Sequence, residues 1–296
     1  MTPLARLALA PVLLITTASA SDFFVKPSLK QTAGSGGYEG TSVSVDFGED
    51  FHLKPAFDAY HSNSSSGTVK TYSVRASYDP DGEYGISLDA GWSPENDGYK
   101  SHYVGGQLTR SIEFGDDDST GDARGFLQGL DLSLGLTRTA HTDAYQLQAA
   151  NGRRAFILRP KSLEVDETDL TGGAALTVRD TLLSLDVLKA VYNKDLAALS
   201  ARGAQATRLA GLVSTIQGYP NVNAAFRVQF DQVPQVSPYL SYTYTAYAVA
   251  APISQAYSLG AIGSVAGLRL DAAYQRFSQR TAADINYYSL QASRRF

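Results

Sequence analysis

The sequence contains no cysteine, a single tryptophan and a single methionine, the initiator. Without cysteine there is no disulfide framework, no thiolate metal site and no thiol nucleophile. Charge is also sparse. Only 18% of the 296 residues are charged and the formal net charge is −4, which excludes the basic footprint of a nucleic-acid-binding protein. Long hydrophobic runs are missing as well. No segment offers the roughly 18 consecutive apolar residues of a transmembrane helix. What is plentiful is tyrosine (18), glycine (26) and an overall hydrophobic share of 44%. Strand proteins use residues in this way.

The first twenty residues read as an export signal. Arg6 precedes an apolar run from Leu7 to Ile15, and the small residues Ala18 and Ala20 follow. This is the charge, core and cleavage-site order of a secretory signal peptide. The run is far shorter than the ~20 residues needed to cross a bilayer. Residues 1–20 are therefore set apart, and 21–296 are read as one domain.

Along that domain the hydrophobic period is two. Val43, Val45 and Phe47 alternate with Ser42, Ser44 and Asp46. Tyr84, Ile86, Leu88, Ala90 and Trp92 alternate with Gly85, Ser87, Asp89 and Gly91. Leu130, Leu132, Leu134 and Leu136 alternate with Asp131, Ser133 and Gly135. Side chains alternate faces along a strand, so each run gives a strand with one apolar face. The pattern predicts fourteen strands, at 23–31, 41–47, 51–60, 69–78, 84–93, 99–112, 126–138, 169–179, 182–191, 222–230, 238–247, 255–263, 267–277 and 285–296. Twelve to sixteen are compatible with the weaker boundaries; a hairpin within 144–159 belongs to the sixteen-strand version.

Two all-β architectures fit. A sandwich turns the apolar faces inward, whereas a transmembrane antiparallel up-and-down β-barrel turns them to lipid. The strands are about 10 residues long, the length a tilted strand needs to cross a bilayer. The chain also closes on an alternating strand ending in phenylalanine. Here Tyr288, Leu290, Ala292 and Phe296 resemble the C-terminal signature of bacterial outer-membrane β-barrel proteins, with Arg294 departing from the usual apolar choice. The resemblance implies a porin-like barrel in the bacterial outer membrane. It also implies that the barrel-assembly machinery reads this segment, and that outer-membrane lipids and lipopolysaccharide surround the protein. An even strand number puts both termini on the periplasmic side. Long outer loops then fall at 139–168 and 192–221.

The remaining expectations concern the interior. Lys26, Lys30, Lys54, Arg75, Arg227 and Arg269 fall on the inward face, with Asp46, Asp58, Asp89, Asp131, Asp186 and Asp271. Six charges of each sign give no strong field of one sign. Such a lumen suits passive diffusion of small polar solutes with weak charge selectivity. The alternatives are a plugged interior whose charges pair with one another, and a surface barrel (adhesin, receptor or envelope-assembly component) acting through its loops. In 192–221, Leu196, Leu199, Leu209 and Val213 recur at helical spacing in places and form a possible constriction loop. His102, Arg110, Lys189 and Arg294 are misfits on the outward face, each near a strand end. Trp92, Tyr78, Tyr84, Tyr99 and Phe296 are expected in an aromatic girdle.

No catalytic residue is assigned. The nearest approach to the His-x-Ser-Asn motif of barrel hydrolases is His61-Ser62-Asn63-Ser64. There Asn, not Ser, shares a strand face with His. The acidic run from Asp116 to Asp122 resembles the start of a calcium loop, but Leu127 stands where the bidentate Glu belongs. No cofactor and no metal are expected.

Overall fold

Each alternating run forms a strand, and each wall strand pairs with the next wall strand along the chain. In the computed structural model the strands are β1 (Phe24–Gly34), β2 (Tyr38–Gly48), β3 (Phe51–His61), β4 (Val69–Tyr78), β5 (Tyr84–Asn96), β6 (Tyr99–Glu113), β7 (Leu127–Tyr145), β8 (Gln148–Asn151), β9 (Arg154–Ile157), β10 (Lys161–Val178), β11 (Thr181–Tyr192), β12 (Pro220–Phe230), β13 (Val236–Tyr247), β14 (Ser254–Val265), β15 (Leu268–Gln279) and β16 (Ile285–Arg294). The structure describes residues 24–296 apart from 36, 62–66, 97, 115–126, 146–147, 152–153, 158–160, 197–218, 232–234, 250 and 281–282; between 143 and 161 it describes the backbone alone. The export signal, the acidic run 116–122, and Leu199, Leu209 and Val213 lie outside the described residues.

Fourteen strands form a closed antiparallel barrel, with β1 paired to both β2 and β16. β8 and β9 pair only with each other, as a separate hairpin between β7 and β10. The hairpin therefore adds no wall strand. The expected loop 139–168 is shorter than the alternation suggested. β7 continues to Tyr145 and β10 begins at Lys161, in register with each other. Above the apolar band the outward positions become Arg138, Thr142, Glu164, Asp166 and Thr168. The outward face is polar there except at Ala140, and the inner face mixes His141 and Glu167 with Leu163 and Val165, so the apolar outward stripe ends while the pairing goes on.

The apolar faces point out. Leu134 is 70% exposed, and Leu88, Val104, Leu108 and Tyr288 are similarly bare. Among the described residues only nine hydrophobic side chains are buried. A sandwich would bury one face of nearly every strand, so that alternative is excluded. An exposed apolar belt of this extent is what a lipid-facing wall presents.

Partners across a ladder share a face, so the register carries facing around the ring. One line runs Lys54, Arg75, Asp89, Gly105, Thr137, Asp169 and Ala190. It starts near the beginning of β3 and finishes near the end of β11, which records the strand tilt. Inside the wall, tyrosines brace strands across glycines. Tyr239 on β13 leans over Gly260 on β14, where a Cβ would lie 2.5 Å from its hydroxyl oxygen. That hydroxyl donates to Asp271 Oδ1 on β15 at 2.9 Å. Tyr103 crosses Gly91 in the same way, with its ring 2.5 Å from a Cβ there.

Candidate functional site: the barrel lumen

Register and facing place all twelve inward-predicted charges on one face. Lys26 pairs with Asp46, Lys54 with Arg75, and Arg75 with Asp89. Asp271 pairs with Gln291, Gln291 with Lys30, Lys30 with Ser42, and Ser42 with Asp58. Asp131 pairs with Ala175, Ala175 with Ser184, and Ser184 with Arg227. Asp186 faces Gly173, and Arg269 faces Ser293.

Five of these charges meet in one cavity of about 270 Å³. Lys26, Lys54 and Arg269 line it with Asp46 and Asp271, and Ser28, Ser44, Gln291 and Ser293 complete the wall. The lining comes from β1, β2, β3, β15 and β16, on either side of the closure. The other seven lie on the same face outside this cavity. Arg227 stacks on Tyr239, its guanidinium carbon 3.7 Å from the ring centroid, and donates to Gln229 Oε1 at 2.7 Å.

None of the twelve is buried. Among the described residues, no cation of the set lies within 4.0 Å of a carboxylate. The one acid of the set with an ion-pair contact is Asp46, whose Oδ1 lies 3.2 Å from His52 Nδ1. Lys26 and Asp46, and Arg75 and Asp89, are direct cross-strand partners of opposite sign, yet neither pair closes. All four side chains remain open to solvent instead of pairing with one another.

The outer end is built differently, and periodicity gave no sign of it. His141 and Glu167 are only 6% and 4% exposed. His141 Nε2 lies 2.7 Å from Glu167 Oε2. With Nε2–H donating to that carboxylate, Nδ1 accepts from the Tyr99 hydroxyl at 2.8 Å. Tyr192 donates to Glu167 Oε1 at 2.9 Å. Tyr99 is thus an inward residue and not part of the girdle. Tyr219 packs edge-on to His141 and Tyr192. It is buried with Val165, Leu196 and Val249. Both flanks of the segment between β11 and β12 therefore sit against the inner face of the mouth. Of the expected constriction residues, Leu196 belongs to this cluster.

The outward misfits have local partners. Arg110 lies over the Tyr84 ring at 5.2 Å and Arg294 over Phe296 at 4.9 Å. Lys189 donates to Asn221 Oδ1. His102 is the cross-strand partner of Trp92, which stacks on Tyr72 at 4.9 Å. Tyr288 and Leu290 face outward on β16, and Phe296 continues the pairing beyond it.

No family model matches this chain. No curated protein matches it either. Solved structures do match in fold. The CymD monoaromatic hydrocarbon channel aligns with a TM-score of 0.52 at 10% identity, over 93% of this chain and 88% of that one. The NanC porin aligns with 0.42 at 14% identity, over 90% and 98%. OpdK of Pseudomonas aeruginosa, solved with vanillate, aligns with 0.42 at 9% identity, over 93% and 98%. The chain has the porin-like fold of bacterial outer-membrane β-barrels, in a closed fourteen-stranded form.

Proposed function

We propose that the chain is a bacterial outer-membrane pore for passive diffusion of small polar solutes, with weak selectivity between simple ions. One observation carries this reading. The twelve inward charges are all solvent-accessible, and no oppositely charged pair among them closes. A plugged interior would satisfy its charges by pairing them, because an isolated charge is costly away from water. A wall of fourteen strands is also wide. At ~4.8 Å between strands and a tilt of ~40°, the backbone diameter is about 28 Å. The apolar belt would face outer-membrane lipid, with lipopolysaccharide at its outer rim, and β16 with Phe296 would be read by the barrel-assembly machinery.

A second reading is a surface barrel that acts through its outer segments. The length of β7 and β10, which carry the β8–β9 hairpin beyond the apolar band, favours it. Single-channel recording in planar bilayers separates the two. Steady ohmic current supports the pore. A folded barrel that stays silent supports the surface reading.

A further inference from the structure

Summed over the whole lumen, the inward charges nearly cancel. Taken strand by strand, they do not. From β12 around the closure to β4, the inward cations are Arg227, Arg269, Lys26, Lys30, Lys54 and Arg75. Only Asp46, Asp58 and Asp271 oppose them on the same stretch of wall. From β5 to β11, the inward positions at the level of the apolar band carry Asp89, Glu113, Asp131, Asp169 and Asp186 and, among the described residues, no Lys or Arg; the one such residue at an inward register position there, Lys161, opens β10 opposite Tyr145, beyond the band. The lumen has a basic arc and an acidic arc.

The arcs face each other. In the ring, β7 lies seven strand steps from β16 in either direction. The cavity holding Lys26, Lys54 and Arg269 flanks β16, and Asp131 stands on β7. These four residues are each among the first five of their strands, and those strands all run the same way. They therefore lie near the same end of the barrel. Among the described residues, none of the four forms an ion pair. Side chains narrow the bore to a half-width comparable with the Debye length of about 8 Å at physiological salt. The field of each arc thus reaches the axis.

We propose that this lumen selects dipolar solutes, compounds carrying a cationic and an anionic group at once, by aligning them across the bore. The proposal rests on the pore reading and names its solute class. A simple anion is drawn to the basic arc and repelled by the acidic one, and a simple cation meets the reverse. A zwitterion gains at both ends, with its anionic group toward Lys26, Lys54 and Arg269 and its cationic group toward Asp131. Ser28, Ser44, Gln291 and Ser293 supply hydrogen bonds at the basic side. Such a field leaves little preference between simple ions, as the near-cancelling total requires.

The test is osmotic swelling of proteoliposomes with two probes of similar size, zwitterionic glycylglycine and uncharged acetylglycinamide. Both rates are read on the same vesicles, so a smaller number of folded barrels cancels from their ratio. The zwitterion should enter about threefold faster, a factor set by two exposed and partly screened charge contacts. Triple replacement of Asp89, Asp131 and Asp186 by Asn should bring the ratio to one. So should Lys26→Gln with Lys54→Gln and Arg269→Gln. Equal entry of the two probes into wild-type vesicles overturns the proposal and leaves the pore intact. A zwitterion preference that survives both triple variants also overturns it. No entry of either probe removes the pore reading, and this proposal with it.

Discussion

Phe296 N donates to Val25 O at 3.0 Å, and Val25 N donates to Phe296 O at 3.3 Å. The last residue of the chain and one of the first of the barrel thus exchange both backbone bonds. They extend the β1–β16 seam beyond the Ser28–Ser293 pair. Arg294 covers the Phe296 ring and Arg295 covers Phe24 at 4.2 Å, so both aromatic ends of the seam are capped by cations. A barrel has no free edges only while this seam is closed.

Deleting Phe296 removes both bonds and the ring. The expected outcome is a loss of folded barrel in membranes, read as less of the compact, faster-migrating band in unheated gels. Phe296→Ala keeps the backbone bonds and should retain more folded material than the deletion. Equal yields for the wild type and the deletion would show that the seam does not need its last residue.

The His141–Glu167 contact ties β7 to β10 at the outer end, with Tyr99 and Tyr192 completing it. Glu167→Ala leaves the buried His141 Nε2–H without its acceptor, while the Tyr192 hydroxyl keeps the Pro220 carbonyl. It should cost about 2 kcal/mol, within the range for an unmade buried hydrogen bond. Urea unfolding in lipid vesicles measures it. Tyr192→Phe removes only one donor and leaves its Pro220 carbonyl contact unmade, so it should cost less, about 1 kcal/mol.

Much of the wall was legible because lipid imposes a simple demand, an apolar side chain at every second position. Leu130 to Leu136 on β7 meet it without exception. Beyond Arg138 the same strand no longer faces lipid, the demand lapses, and seven further paired residues read as loop. Tyr99 was misplaced because a tyrosine suits a girdle and a lumen equally. The arcs escaped for a different reason. Along the chain the inward charges of the two signs are interleaved and sum to nearly zero, and they separate only when the strands are ordered around the ring. The His141–Glu167 site left no periodic trace, since it depends on two strand extensions meeting above the apolar band.

The turn between β14 and β15 places Ala266 at φ 50° and Gly267 at φ 76°. An L-residue in the left-handed region is strained by its Cβ. Ala266→Gly removes that strain, and the entropy of the more flexible unfolded chain offsets part of the gain. The net change should be a stabilisation of about 0.5 kcal/mol, read as a higher urea midpoint with an unchanged slope.

Asp231 follows β12 at the end where the turns are short. Hydrogen bonds from Ser237 and from Gln229 Nε2, at 2.9 Å, hold its carboxyl below the usual carboxylate range, with Arg227 and Arg269 adding to the effect. A depressed folded-state pKa contributes stability above the unfolded value of about 4 and loses it as pH falls through the folded value. Asp231→Asn should therefore lower stability at pH 7 and leave it nearly unchanged near pH 2. The difference should stay under about 1 kcal/mol, because the group is exposed and screened.

Facing can be checked without any transport assay. Ser133 pairs with Gly173 on the inner face, and Leu134 beside it is exposed to the outside. Thr243 pairs with Ala256 on the inner face, and Tyr242 beside it packs on Tyr257 outside. The wild type has no cysteine, so single cysteines at these four positions report alone. In proteoliposomes, cysteines replacing Ser133 and Thr243 should react with a membrane-impermeant thiol reagent. Those replacing Leu134 and Tyr242 should react only with a lipid-soluble one. A bulky impermeant reagent adds a size scale. Reaction at residue 133 with a small reagent and not with a large one measures the bore directly at the level of the acidic arc. Blocked access to both inner positions, with the outer pair still labelled from lipid, would mean a filled lumen inside an intact wall, and would shift the function to the outer segments.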